Sequence, residues 1–219
     1  MLAGIQSIFK DIDMNYHEKQ EKEEAWRSEY IKKTKDMGKL INALPMCPYS
    51  VDVDFDHMDS ILERYATYEG GLDINPDFQR GHVWTEAQQI AYIENFIRGG
   101  VGDTGRTITF NCSDFQRRRA KDSDIVGFYV IDGLQRLTAV RRFMNNEFKI
   151  FQDELGGVDK DFFKGTGYRI SSLKGLSFNV YNMQYKKDVL DFYLAMNSGG
   201  TVHTPEEIER VKKMREELE

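Results

Sequence analysis

The sequence has little cysteine and histidine, and neither residue type recurs at the spacing of metal ligands. It contains two cysteines, Cys47 and Cys112, and four scattered histidines, which excludes a zinc site and a disulfide framework. No run approaches the roughly 20 apolar residues of a membrane helix. The first residues also lack the basic flank and apolar core of a signal peptide. We therefore expect a cytoplasmic protein that does not enter membranes and keeps its thiols free.

A P-loop pattern, Gly-x4-Gly-Lys-Ser/Thr, is also absent. In addition, the sequence has fewer basic than acidic residues. The chain has 30 basic and 36 acidic residues and a net charge of −6, which argues against a surface devoted entirely to nucleic acid. A local basic groove remains compatible with this balance. The candidate clusters are residues 117–119, 141–142 and 186–187.

Charge density and two prolines divide the 219 residues into three parts. Residues 1–44 are predicted to form a helical N-terminal extension. The main domain is predicted over residues 45–211 and begins at the linker that carries the prolines. Residues 212–219 are predicted to be the charged end of the last helix.

The extension contains a charge-dense stretch, residues 16–37, with few apolar side chains. Trp26, Tyr30 and Met37 form a sparse apolar stripe at helical spacing. The pattern is typical of a solvated helix that lies over the domain or docks a protein partner. We expect this helix to end at Gly38.

Hydrophobic patterning in the main domain predicts short strands that alternate irregularly with helices, which indicates an α+β fold. Two capping boxes mark helix starts, Thr85 with Gln88 and Thr204 with Glu207. Asp56 is expected to cap a further helix. The strands are predicted over residues 50–55, 106–112, 126–131 and 177–183.

The segment from residue 128 to residue 139 carries the most concentrated chemistry. A β-branched and aromatic run predicts a buried strand, and apolar residues from Leu134 onward recur at helical spacing. Gly133 lets the backbone turn sharply, so that the first N–H groups of the helix face open space, where the peptide dipoles favour an anion. Arg136, in the first turn, can form paired hydrogen bonds with phosphate or carboxylate oxygens.

Asp132 ends the strand beside the same anion site, where a carboxylate alone would repel a phosphate. Its presence suggests a metal, a ribose hydroxyl or a nucleophile that needs a base. The alternative is that Asp132 only caps the helix and Arg136 pairs with a surface carboxylate. Arg141 and Arg142 follow on the same helix, so we expect them to contact nucleic acid.

Three segments occur together in the order found in one known family. They are Pro76-Asp77-Phe78-Gln79-Arg80-Gly81 with Val83-Trp84, Asp132-Gly133-Leu134-Gln135-Arg136-Leu137-Thr138, and Asn197-Ser198-Gly199-Gly200-Thr201 with Glu207-Ile208. Taken together, they resemble the N-terminal domain of GmrSD-type restriction endonucleases over about residues 50–211. The resemblance implies a ParB/sulfiredoxin-like fold, a small mixed sheet with surrounding helices. The family signature reads Asp-Gly-Gln-Gln-Arg, and Leu134 replaces its first glutamine.

The resemblance implies a domain that binds a nucleoside triphosphate (NTP) with a divalent cation, taken to be magnesium, and acts on or beside DNA that can be modified. By the same resemblance, Asp132 would orient a water or hold the cation, Gln135 would position the attacking group, and Arg136 would neutralise phosphate charge. The further nucleotide contacts that it implies are Gln79, Arg80, Gly133, Thr138, Asn197 and Ser198.

Three functions remain open. The first is NTP hydrolysis without a nuclease domain of the chain's own, because the four scattered histidines supply no His-Asn-His centre. The second is a kinase that phosphorylates a hydroxymethylated base in DNA. The third is a non-catalytic, nucleotide-gated module that binds a partner through residues 16–37, which Leu134 and the acidic charge both favour. Direct nuclease action is disfavoured because the motif has one carboxylate, and sulfinic acid reduction because the turn has no cysteine.

Overall fold

A computed structural model of the chain describes residues 2–41, 43–170, 175–197 and 204–218. The chain divides into two units, Met1–Leu44 and Pro45–Glu219. Among the helices of the described residues, none combines the length and the apolar character needed to cross a membrane.

In the first unit the described residues form one helix, α1 (Leu2–Ile41). Ion pairs between residues four apart lie along it and add a few tenths of a kcal/mol each. These pairs are Glu18–Lys22, Glu23–Arg27 and Glu29–Lys33. The predicted end at Gly38 was wrong, since the helix continues to Ile41. A glycine costs a helix only about 1 kcal/mol, which good helix formers on either side can offset.

The second unit is built on a five-stranded mixed sheet, which confirms the predicted α+β class. The strand order is β1-β5-β3-β4-β2; β1 pairs with β5 and β3 with β4 in antiparallel fashion, whereas β3–β5 and β2–β4 are parallel. The strands are β1 (Tyr49–Val53), β2 (Leu72–Asp73), β3 (Thr107–Cys112), β4 (Phe128–Asp132) and β5 (Leu176–Tyr181). The ParB/sulfiredoxin-like assignment stays a prediction.

Helices surround the sheet, and the two predicted capping boxes are confirmed at Thr85 and Thr204. The predicted cap at Asp56 was wrong: the N-cap residue is His57, whose backbone N–H donates to Asp54 Oδ1 at 3.0 Å. The helices are α2 (Met58–Ala66), α3 (Glu86–Ile97), α4 (Asp103–Arg106), α5 (Leu134–Met144), α6 (Gln152–Leu155), a 3-10 helix (Asp161–Gly165), α7 (Lys186–Asn197) and α8 (Pro205–Glu216).

Strand β4 is buried from both sides of the sheet. Phe128 and Val130 pack into the larger core, which also contains side chains of α2, α3 and α5. Tyr129 and Ile131 pack into a second cluster with side chains of α7 and α8. The alternation follows from the strand period of two residues. Strand β4 therefore lies between the two clusters, and the turn at its carboxyl end follows directly from this buried position.

Candidate functional site

The turn between β4 and α5 requires a glycine. Gly133 adopts a left-handed conformation with φ 102° and is the N-cap residue of α5. A Cβ atom there would lie 2.7 Å from Ile108 Cδ1 and 3.1 Å from Ile108 Cα. The close approach to β3 and the positive φ both exclude a side chain. As predicted, the chain turns sharply here and opens α5.

Asp132 and Arg136 lie on the same side of this turn and form an ion pair. Arg136 also donates a hydrogen bond from Nη2 to the Thr107 carbonyl oxygen at 3.0 Å, and its Nε is buried without a hydrogen-bond partner among the described residues. Asp132 does not cap α5, because Gly133 occupies the N-cap position and no side chain caps it. The capping alternative for Asp132 was therefore wrong, and the carboxylate that pairs with Arg136 belongs to the same motif.

Two glutamine side chains join the 76–84 loop to β4 and α5. Gln79 Nε2 donates to the Val130 carbonyl oxygen at 2.6 Å. Gln135 Nε2 donates to the Gly81 carbonyl oxygen at 2.7 Å, and Gln135 Oε1 accepts from the backbone N–H groups of Val83 and Trp84 at 2.9 and 3.0 Å. Both amides are therefore bound to main-chain atoms, and the first and second sequence segments form one surface.

Helix α8 holds the same loop from the other side. The Arg210 guanidinium donates to the carbonyl oxygens of Asp77, Phe78 and Gln79 at 2.6, 3.1 and 3.0 Å. Arg80 Nη1 lies 3.6 Å from Glu207 Oε2. Sequence reasoning missed Arg210 as a site residue. Arg210 lies three residues after Glu207, and residues three apart share a helix face. This spacing could have indicated that Arg210 faces the same loop.

Residues of the first two segments, together with Asn197 of the third, line a cavity of about 690 Å³, within the roughly 300–1,000 Å³ of small-molecule sites. Two guanidinium groups, Arg80 and Arg136, line it together with the first turn of α5, and Asp132 is the one carboxylate in its wall among the described residues. The lining residues are Gln79, Arg80, Val83, Trp84, Gln88, Thr104, Ile131, Asp132, Gly133, Leu134, Gln135, Arg136, Tyr193, Met196 and Asn197. The wall therefore combines cationic and apolar surface.

The end of α7 contributes Tyr193, Met196 and Asn197 to this wall. Asn197 Nδ2 donates to the Tyr193 carbonyl oxygen at 2.7 Å. Burial, together with a smaller contribution from the Glu207 carboxylate and against the lowering effect of Arg80, raises the pKa of Tyr193 to about 12. The phenol therefore keeps its proton at neutral pH. Sequence reasoning missed Tyr193, although it lies one helical turn before Asn197.

The remaining predicted residues lie elsewhere. Thr138 is half-buried on α5 and does not line the cavity, and Ser198 lies outside the described residues. Arg141 Nε donates to Asp59 Oδ1 at 2.9 Å. Arg142 contacts Glu86 at 3.0 Å and Glu147 at 2.8 Å. Any nucleic-acid contact by these two arginines must compete with their internal ion pairs, and their role stays a prediction.

Metal ligands do not form a cluster in the described part of the chain: no three His, Cys, Asp or Glu side chains converge there. A magnesium ion commonly takes one or two carboxylates and completes its shell with substrate phosphates and waters. Asp132, whose side chain is 38% exposed, fits that requirement as a single protein ligand.

Comparison with known proteins gives one family. The family described as GmrSD restriction endonuclease, N-terminal domain, matches residues 58–212, which is most of the chain and includes all three segments. No curated protein and no solved structure matches. The chain therefore belongs to the family of the GmrSD restriction endonuclease N-terminal domain.

Proposed function

We propose that the cavity at the β4–α5 turn binds a nucleoside triphosphate and that the chain hydrolyses it on or beside DNA. One observation carries the proposal: Arg80, Arg136 and the first turn of α5 line one cavity. Guanidinium groups and the free N–H groups of a helix start are the protein groups best suited to phosphate. The apolar part of the wall suits a base and ribose.

Arg136 is the residue on which phosphate binding depends most. Its Nη2 is held by Asp132 and by the Thr107 carbonyl oxygen, which fixes the plane of the guanidinium before a ligand arrives. A pre-oriented cation stabilises developing phosphate charge without reorganisation during the reaction. Asp132 would hold magnesium, which would supply further positive charge to the phosphates.

The action on DNA rests on family membership, because a restriction endonuclease acts on DNA and the chain matches the N-terminal domain of one. Recognition of modified DNA belongs to the same proposal. Arg141 and Arg142 are the candidate contacts, provided that DNA phosphates replace their carboxylate partners.

The test measures binding of ATP, GTP, CTP and UTP, each with and without magnesium. Thermal shift and calorimetry are the two measurements. A ligand that binds only the folded state raises its melting temperature. We expect Arg136→Ala to weaken binding at least tenfold and Arg136→Lys to restore part of it. Arg98→Ala is the matched control, because Arg98 is 54% exposed and outside the cavity wall. Equal affinity in Arg136→Ala and wild type would overturn the proposal.

A second candidate is the non-catalytic, nucleotide-gated module. The observation that favours it is the Gln135 amide, which contacts three backbone groups of the 81–84 loop and is not free to position an attacking group. Phosphate release separates the two candidates: hydrolysis that Asp132→Asn abolishes supports the enzyme, whereas binding without release supports the module. Transfer of γ-phosphate label to hydroxymethylated DNA would instead indicate the kinase.

A further inference from the structure

Helix α1 carries a seven-residue repeat of the coiled-coil kind. With Tyr16 as position a, the described helix has Tyr16, Glu23, Tyr30 and Met37 at a, and Lys19, Trp26, Lys33 and Leu40 at d. In the sequence, the same three- and four-residue spacing continues toward the N-terminus through Leu2, Ile5, Phe9 and Ile12. A repeat sustained over this many heptads indicates pairing with another helix.

The apolar members of this stripe are exposed. Trp26 is 61%, Tyr30 58% and Leu40 82% exposed, and the Trp26 and Tyr30 rings stack on each other with centroids 5.4 Å apart. Helices in water gain most of their stability from packing of an apolar face. A helix of 40 residues, about 60 Å long at 1.5 Å per residue, therefore presents a long seam that a second helix would cover.

We propose that α1 pairs with the α1 of a second copy of this chain in an antiparallel two-stranded coiled coil. The argument for a second copy and for this orientation is the distribution of charge along the seam. Among the described positions, the one charged a residue is acidic, Glu23, and both charged d residues are basic, Lys19 and Lys33.

Parallel pairing in register opposes these charges. In that arrangement a faces a and d faces d, so Glu23 would meet its own copy, and so would Lys19 and Lys33. Each such layer would bury like charges at short range. The seam is therefore unsuited to a parallel homodimer in register.

Antiparallel pairing removes the conflict in every register. There a layers of one helix face d layers of the other, so a glutamate at a can meet lysine or an apolar residue, but never glutamate. The lysines at d face Tyr16, Tyr30, Met37 or Glu23, and aromatic rings attract ammonium groups. Glu23 and Lys33 are also paired along their own helix, with Arg27 at 3.1 Å and Glu29 at 2.7 Å.

The mass of the full chain in solution tests the pairing. Sedimentation of the purified protein at tens of micromolar is expected to give twice the 25.5 kDa of one chain. Tyr30→Asp, at position a, is expected to weaken the dimer at least tenfold. Ile31→Asp is the matched control, since Ile31 is 65% exposed and lies at position b, off the seam. A monomeric wild type, or a dimer that survives Tyr30→Asp, would overturn the proposal.

Cysteine cross-linking tests the orientation. In a Cys47→Ser background, Met37→Cys places a thiol near one end of the seam. Copies of this thiol lie near opposite ends of an antiparallel dimer, so mild oxidation is expected to leave the dimer unlinked. Efficient disulfide formation between the two introduced cysteines would establish a parallel pair and overturn the antiparallel assignment.

Discussion

Gly133 occupies a position where backbone conformation and space both exclude a side chain. We expect Gly133→Ala to lower the free energy of unfolding by about 2–3 kcal/mol, because the left-handed φ strains alanine and its Cβ would meet Ile108 at 2.7 Å. Gly156→Ala is the control: Gly156 has φ 69° with no neighbouring atom within 4 Å, so only the strain of about 1 kcal/mol applies. Urea unfolding of both variants measures the difference, and equal losses would contradict the steric argument.

Gln135 is expected to hold the 81–84 loop in place through its hydrogen bonds to the backbone. Gln135→Ala removes the partners of three backbone groups in the 81–84 loop, and each unsatisfied group costs about 1 kcal/mol. We expect the free energy of unfolding to fall by about 2–3 kcal/mol. Gln152→Ala serves as control, since Gln152 is exposed and makes one bond, at 3.3 Å. A Gln135→Ala variant as stable as wild type would exclude this bracing role.

At the level of single residues, sequence reasoning found the groups whose setting is local. The turn at Gly133 and the place of Arg136 in the cavity wall follow from one strand and the helix after it. The bonds of Gln135 join residues 52 and 54 positions apart, and those of Arg210 span up to 133 positions. Local spacing carries no information on such partners, so the role that the resemblance implied for Gln135, positioning the attacking group, took no account of these bonds.

Helix α8 braces the loop that carries two residues of the cavity wall. Arg210→Ala removes three hydrogen bonds to the carbonyl oxygens of residues 77–79, so the loop that carries Gln79 and Arg80 becomes less ordered. We expect nucleotide affinity to fall about tenfold, equivalent to one lost charge-assisted bond. Lys212→Ala is the control, because Lys212 is 54% exposed on the same helix. Calorimetry that gives equal affinities for both variants would contradict the bracing of this loop by α8.

The two helix starts that capping boxes marked were predicted correctly. The capping boxes at Thr85 and Thr204 need only the residue and its neighbour three positions on. The expected cap at Asp56 was wrong because the His57 N–H donates to Asp54 instead. Asp54 is the first residue after β1. The expected stop at Gly38 failed because a glycine alone does not end a helix.

The whole molecule is expected to lose stability in alkali. Burial, and to a smaller extent the hydrogen bond to Asp114, raises the pKa of Cys112 from an ordinary 9.0 to about 12. Between these pH values the unfolded thiol loses its proton and the folded one keeps it. The unfolded state then binds fewer protons, so the free energy of unfolding falls as pH rises, by up to about 1.4 kcal/mol per pH unit.

Guanidinium unfolding of wild type and Cys112→Ala between pH 8 and pH 11 checks this expectation. Burial also raises the pKa of Tyr193, from 10.0 to about 12, so the thiol is the better probe at the lower end of the range. The variant is expected to lose stability less steeply from about pH 9 to pH 10. Parallel curves for the two proteins would show that Cys112 ionises alike in both states.

Sheet order is the part of the fold that patterning did not provide. Four of the five strands were predicted within a few residues, because alternation is a local property. The order β1-β5-β3-β4-β2 joins strands that are distant in sequence, and β2, with two residues, is too short to have a period. Pairing of this kind depends on loop closure and on which faces bury together.

The hydrogen bonds of Gln135 to main-chain atoms affect how the ligand preference of this cavity can change during evolution. Its amide contacts the backbone of Gly81, Val83 and Trp84, so the side chains of Val83 and Trp84 can be exchanged during evolution without losing that anchor. Both side chains line the cavity. Relatives that retain the glutamine can therefore adopt new ligand preferences by exchanging side chains that the glutamine does not contact.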